Sequence, residues 1–243
     1  MLDHLLTLDR PIRNVEVTWA PSSRQSSDEI EHAIESAWQA KATQPGVNLF
    51  DGPMCRLEGY QRLGDTVHLT LSTTSYRVFL GTNLYGNRSW PIEALSNPIG
   101  VSPALITTDG KLAFGIRNAS VAYYPHRLHP FSGALEPPTG GLPLDIFAES
   151  RRELGEELHL AAEEISDLAL LGIVRDRDIR HPELILYAKT SLASDELRNR
   201  VDPDEHCGIV FIDSADGFAG ATIPCEPTPV ATAAMTLFVT LMR

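Results

Sequence analysis

One short helical segment carries more negative charge than its own length can neutralise, and this limits what can surround it. In Arg151-Arg-Glu-Leu-Gly-Glu-Glu-Leu-His-Leu160, Glu153 and Glu157 stand four apart, Glu156 lies three from Glu153, and Glu149 sits one turn earlier. At 3.6 residues per turn these four carboxylates crowd one face. Each like-charge i,i+4 pair costs a few tenths of a kcal/mol in water. Arg152 is placed to pair with Glu149 or Glu156, but one guanidinium cannot offset the whole cluster. A hard divalent cation would. Magnesium takes oxygen ligands in octahedral geometry, keeps several waters, and is normally completed by phosphate oxygens. The spacing therefore predicts a magnesium site, with manganese as a substitute, that suits a pyrophosphate.

The overall charge agrees with a local remedy of this kind. Twenty basic against 32 acidic side chains give a net charge of −12, which argues against a nucleic-acid surface. An anionic substrate then needs metal ions to reverse the local field. Cys55, Cys207 and Cys225 are far apart and form no C-x-x-C pair, so they read as reduced and structural, with neither a disulfide framework nor a zinc site. No stretch reaches the roughly 18 uninterrupted apolar residues of a membrane helix, and MLDHLLTLDRPIR lacks the layout of a signal peptide. The chain reads as cytoplasmic, with no membrane partner.

The 243 residues allow one large domain or two small ones. In the first 95, VEVTW reads as a strand, Asp28 as an N-cap, and Glu29–Ala42 as a helix with Ile30, Ala33, Ile34, Ala37 and Trp38 on its core side. The turn-rich QPGVN and DGP follow, then RLEGYQRL and TVHLTLSTT as a hairpin about Gly64-Asp65. The segment TSYRVFLGTN has neither clean periodicity nor loop composition. From Gly100, VSPALITTDGKLAFGIRNAS predicts a second hairpin about Asp109-Gly110, and YYPHRLHPFSGALEPPTGGLP is a breaker-rich loop. A helix over 144–158, strands LALLGIVRD and ELILYAKTSL, a short helix in SDELRNR, the strand CGIVFID and a closing helix from Thr228 to Met242 complete a mixed α/β pattern. The closing helix, apolar almost all round, suits either a core or a dimer surface, and oligomeric state stays open.

Residues 152–160 resemble the second half of the Nudix box: Arg-Glu, an apolar residue, any residue, Glu-Glu, any residue, glycine and an apolar residue. Arg152, Glu153, Leu154, Glu156, Glu157 and Leu160 match, and His159 stands at the glycine. That turn then needs another backbone solution or a longer helix. The box's earlier glutamate and glycine fall on Leu144 and Pro138; Gly133 with Glu136, or Gly140 with Gly141, are the residues of a lengthened loop that could stand in. A second resemblance spans nearly the whole chain. LFDGPMCRL (49–57), TSYRVFLGTN (74–83), NPIGVSPALITTDGKLAF (97–114), LLGIVRD (170–176) and DEHCGIVFID (204–213) are similar, in the same order, to segments of animal Nudix-type UDP-glucose/UDP-galactose diphosphatases. The box of that branch is likewise irregular in its first half.

The resemblance implies a Nudix α/β/α sandwich with a mixed sheet over 96–243, preceded by an N-terminal α/β extension over 1–95 that could recognise substrate. It implies magnesium-dependent hydrolysis of a UDP-sugar to UMP and sugar 1-phosphate. Glu153, Glu156 and Glu157 are the metal ligands it points to, and Arg152 orients them. The base that activates water is either Glu205 or a box glutamate, with His206 a third candidate. Tyr76, Arg77, Thr82 and Asn83 either contact the substrate or, in the case of Tyr76 and Phe79, pack between the extension and the fold that follows. Arg117 and Arg175, at strand ends, either face the diphosphate or form surface ion pairs. Two rivals remain: hydrolysis of another nucleoside diphosphate derivative such as ADP-ribose, and a non-catalytic nucleotide-binding module, which Leu144 and His159 favour.

Overall fold

The structure is a computed structural model that describes residues 1–44, 49–140 and 143–242. The chain opens with strands β1 (Leu2–Ile12) and β2 (Asn14–Trp19), helix α1 (Asp28–Ala42), and the hairpin β3 (Pro53–Leu63) and β4 (Thr66–Ser75). One α turn, α2 (Tyr76–Phe79), runs into a π-helical turn over Leu80–Leu84. There follow β5 (Gly100–Ile106), β6 (Lys111–Arg117), the short β7 (Leu128–His129) and β8 (Gly133–Ala134), α3 (Ile146–Leu158), β9 (Ile165–Asp176) and β10 (His181–Thr190). Helix α4 (Ser194–Leu197), β11 (His206–Asp213), α5 (Gly217–Gly220) and α6 (Pro229–Leu241) end it. Most of the expected QPGVN turn and Gly141 lie outside the described residues.

Among the described residues the main sheet has the order β1-β9-β10-β5-β6-β11, with β7 on β6 and β8 on β5. It is mixed, because β10 and β5 run parallel while the other pairs are antiparallel. Successive strand residues point to opposite faces, and the core divides accordingly. Ala104, Leu112 and Tyr187 pack with Val230, Ala234 and Phe238 of α6 on one face. Their neighbours Leu105, Ala113 and Ala188 pack with Leu154 and Leu158 of α3 on the other. The result is an α/β/α sandwich. Helix α6 is thus a core helix: its buried side lies in the sheet, and Thr232, Thr236 and Thr240 return their hydroxyls to carbonyls one turn back. No helix among the described residues is long and apolar enough to cross a membrane.

The second hairpin departs from its sequence pattern. Gly110 takes φ +78° in the turn, yet β5 and β6 pair only at Leu105↔Ala113 and Ile106↔Leu112. Beyond that Pro103 has no N–H for a continued ladder, and the strands part. The gap is filled by the breaker-rich loop, which lends β7 to β6 and β8 to β5. This split brings residues 128–134 against α3.

Several local expectations need correction. The N-terminal segment holds a strand besides VEVTW: β1 is a sheet edge, where Pro11 is tolerated, and register shifts between His4 and Leu6 and between Thr7 and Ile12 erase its alternation. Ser27, not Asp28, caps α1 by accepting from Ile30 N at 3.3 Å. Asp145 caps α3 by accepting from Phe147 N and Ala148 N, so the helix begins two residues later than Leu144. Trp38 is only half-buried, with Arg77 over its ring at 5.9 Å. The small sheet β2-β4-β3 shares a core with the large one, as Leu57, Val67, Leu69 and Leu71 meet Ile99, Val101, Ile173 and Leu184. All three cysteines are free, and Cys207 is exposed.

Helix α3 ends without a glycine because His159 itself takes the left-handed conformation, φ +50° and ψ 37°. That conformation costs an L-residue about 1–2 kcal/mol, and the exposed contact of His159 with Asp202 at 3.6 Å returns little. His159→Gly is therefore expected to stabilise the protein by about 1 kcal/mol and raise its melting temperature by about 2–4 °C. A thermal melt showing a fall would mean that the turn is held by contacts of the imidazole.

Candidate active site

Arg152 gathers the acidic face of α3 around itself. Its Nε donates to Glu149 Oε2 at 2.9 Å and one terminal nitrogen to Glu156 Oε2 at 2.8 Å, while the other meets Glu153 Oε1. It thus serves both carboxylates expected from spacing and a third. Glu156 remains largely exposed, whereas Glu153 and Glu157 face the sheet and are buried. Gly133 of β8 lies directly against Glu153: a Cβ there would come within 2.2 Å of the carboxylate carbon. The parting of β5 and β6 delivers that glycine.

A second convergence involves Glu157. The turn before β11 carries Glu205 and leads into His206, and the ligand atoms of Glu157, Glu205 and His206 lie within 4.8 Å of one another. His206 Nε2 is 3.4 Å from Glu157 Oε1, and the ring packs edge-on against Phe131 at 4.8 Å. Glu157 Oε2 and both His206 nitrogens are buried without a hydrogen-bond partner among the described residues. Burial pushes Glu153 up to about 8, with Arg152 opposing and Glu157 adding to the shift. Burial also holds Glu157 well above the carboxylate range, reinforced by Glu205. His206 is lowered to about 4, first by burial and then by Arg117. Carboxylates whose charged form burial disfavours, beside buried oxygen and nitrogen atoms without a hydrogen-bond partner among the described residues, have the donor chemistry of a divalent-cation site. Oxygen ligands in the majority favour a hard ion.

Glu153 and Glu205 border a cleft of about 320 Å³ whose wall also includes Arg117, Tyr123, Gly133, Glu136, Arg152, Glu156 and His181. Met54, Tyr76, Ala134 and Glu136 are shared with an adjoining cavity of about 780 Å³, lined further by Lys41, Leu49, Phe50, Ala119 and Ser120. Tyr76 and Arg117 accordingly stand at the cleft with the carboxylates. The other candidates lie elsewhere. Arg77 pairs with Glu35 on α1. Thr82 is fully buried, donating to Val78 O at 2.7 Å and accepting from Ser96 N. Asn83 donates to Ile179 O and Arg180 O at 3.0 and 3.1 Å. Arg175 borders a separate small cavity with Arg56, Glu58 and Asn97. Leu144, at the box's first glutamate, is a core residue, while Glu136 of the lengthened loop reaches the cleft. Gly133, named with Glu136 as a stand-in from the lengthened loop, lies at the cleft, whereas Tyr123 and His181 escaped the sequence reading as site residues because no spacing ties them to α3.

Comparison with known proteins gives relatives of one kind. The chain is 30% identical over 223 residues to the uridine diphosphate glucose pyrophosphatase NUDT22 of Homo sapiens, covering 76% of this chain and 72% of that protein. The Mus musculus protein of the same name is 29% identical over 218 residues, with 75% and 70% covered. Nudix hydrolase 9 of Arabidopsis thaliana is 26% identical over 207 residues, with 70% and 66% covered. No protein-family model matches the chain.

The raised carboxylates make the metal-free protein's stability depend on pH. Glu153 titrates near 8 when folded and near 4.5 when unfolded, so the native state binds the extra proton between these values. Its contribution is fully present below 4.5 and lost as pH rises through 8. His206, lowered from 6.5 to about 4, acts in the opposite sense but only below 6.5. With chelator present, the melting temperature is expected to fall from pH 6.5 to 8, and Glu153→Gln to flatten the fall. An equal slope in that variant would place the proton elsewhere.

Proposed function

The chain belongs to the Nudix hydrolase family, and we propose that it hydrolyses the pyrophosphate bond of a UDP-sugar, UDP-glucose or UDP-galactose, to UMP and sugar 1-phosphate. One observation carries this reading: Glu153 and Glu156 of α3, Glu205 and the buried Arg117 line a single cleft, with Glu157 beside Glu205. The names of the human and mouse relatives supply the sugar nucleotide.

Glu153, Glu156 and Glu157 are the residues that would hold magnesium, or manganese in its place. Such an ion supplies charge neutralisation on the diphosphate and a lowered pKa for water. Arg152, bonded to Glu149, Glu153 and Glu156, fixes the carboxylate rotamers before substrate arrives. Arg117, 6% exposed and with its Nε unpartnered, is free to bind diphosphate oxygens. Glu205, beside Glu157, accepts a proton from the attacking water. The water oxygen bonds to phosphorus in line with the bridging oxygen, and that P–O bond breaks, leaving one phosphate on each product.

The adjoining cavity offers room for the rest of the substrate, with Tyr76 and Phe50 as aromatic faces and Lys41 as a cation. Since Lys41, Phe50, Met54 and Tyr76 belong to residues 1–95, we assign that segment the recognition of nucleoside or sugar ahead of a catalytic segment over 96–243. Within it Arg77, Thr82 and Asn83 would act by shaping the wall that carries Tyr76 and Phe79. Arg175 would act from outside the cleft.

Incubating the protein with magnesium and a panel of UDP-glucose, UDP-galactose and ADP-ribose tests the reading. UMP release from the UDP-hexoses is expected. Glu205→Gln is expected to lower kcat by about 10²–10⁴-fold, the range for losing a general base, and Glu153→Gln and Glu157→Gln to weaken both cation binding and turnover. Cleavage of ADP-ribose with the UDP-hexoses untouched would overturn the substrate. Tight UDP-glucose binding without turnover would make the chain a nucleotide-binding module.

A further inference from the structure

Arg117 ends β6 inside the cleft, and its long side chain needs something to aim it. The guanidinium carbon lies 4.8 Å from the centre of the Tyr123 ring. That ring is itself fixed from behind: Phe79 meets it edge-on at 6.2 Å, Tyr124 edge-on at 5.9 Å, and His181 lies 6.4 Å away. The segment carrying Tyr123 has an unusual backbone, because Tyr124 (φ +52°) and His126 (φ +61°) are both left-handed on either side of Pro125. Residues with side chains hold such angles only where their surroundings over-determine them. Here the Tyr124 hydroxyl donates to Asp176 Oδ2 at 2.9 Å, and Asp176 is wholly buried and further fixed by Asp178 N at 2.8 Å. The backbone of His126 also donates to Arg117 O at 3.0 Å, closing the loop onto the strand end.

We propose that Tyr123 is a positioning residue for Arg117: its ring face, locked by the Tyr124–Asp176 bond, holds the guanidinium plane toward the cleft, ready for the substrate's diphosphate. The inference rests on the preceding reading that the cleft takes a nucleoside diphosphate. Freezing the guanidinium in advance spares part of the rotamer entropy that binding would otherwise cost. A desolvated cation–π contact is worth about tenfold to thirtyfold in an equilibrium constant.

The test is a double-mutant cycle on UDP binding, read by calorimetry in the presence of magnesium, alongside KM and kcat for UDP-glucose. Tyr123→Phe keeps the ring and is expected to bind UDP within about twofold of the unmodified protein. Tyr123→Leu is expected to weaken UDP binding and raise KM by about tenfold, with kcat changed less. In an Arg117→Ala background the Tyr123→Leu loss is expected to vanish, since the two residues act as one unit. Arg117→Lys, which keeps the charge without the planar stack, provides a second background that leaves the Tyr123 ring in place, and adding Tyr123→Leu to it should cost little. Equal losses with and without Arg117 would mean that Tyr123 contacts the substrate directly and would overturn the proposal. Loss in Tyr123→Phe as large as in Tyr123→Leu would overturn it too, by assigning the effect to the hydroxyl. If the unmodified protein binds UDP but cuts no nucleoside diphosphate derivative, the catalytic reading fails while the cycle still decides the role of Tyr123; if UDP is not bound at all, both fall.

Discussion

Two carboxylates held side by side out of water, Glu153 and Glu157, set the terms for everything around them. Burying an unpaired carboxylate is expensive enough that the group takes up a proton or acquires a cation. Arg152 relieves part of the repulsion on α3, but it is divided among Glu149, Glu153 and Glu156. Glu157 receives none of it and faces Glu205 and His206 instead. Within the chain Arg117 is the cation that opposes the charge of Glu157. The backbone around the cluster is closely built, with Gly133 pressed on Glu153 where no larger residue fits.

The fold prepares that situation by breaking one of its own ladders. Had β5 and β6 stayed paired along their length, residues 128–134 would have no sheet edge to join and α3 would pack against a closed surface. Because the pair parts beyond Leu105↔Ala113, β7 and β8 enter the gap, and Gly133 and Ala134 of β8 line the cleft. The N-terminal part adds to this: β1 extends the main sheet beyond β9, and Met54 of β3 with Tyr76 and Phe79 of α2 line the cleft with the carboxylates. The π-helical turn at Leu80–Leu84 leaves Thr82 and Asn83 bonding to backbone, so they hold this wall in place.

How much could be read without the fold differs from residue to residue. Elements with one clean periodicity were readable: α1, the β3–β4 hairpin, α3, β9, β10, β11 and α6. The strand β1 was not, because bulges and an edge position remove the alternation that marks a strand. Neither was the fate of TSYRVFLGTN, whose α-to-π passage follows no simple period. The four glutamates could be grouped because they share one helix. Glu205 could be singled out but not given a neighbour, since its distance to Glu157 spans separate elements. Arg117 and Arg175 looked alike as strand-end arginines; one reaches the cleft and the other borders a different cavity.

The amino-acid sequence alone determined the charge crowding on α3, the alternation of helices with strands, and the absence of a cysteine framework. All of these follow from residue spacing along a local geometry of fixed period. Tertiary structure decided which carboxylates are buried, which strand-end arginine reaches the cleft, and that its guanidinium lies over the Tyr123 ring. Those properties depend on solvent exclusion and on contacts between residues far apart in the chain. No local period encodes either, because both arise only when separate elements pack together.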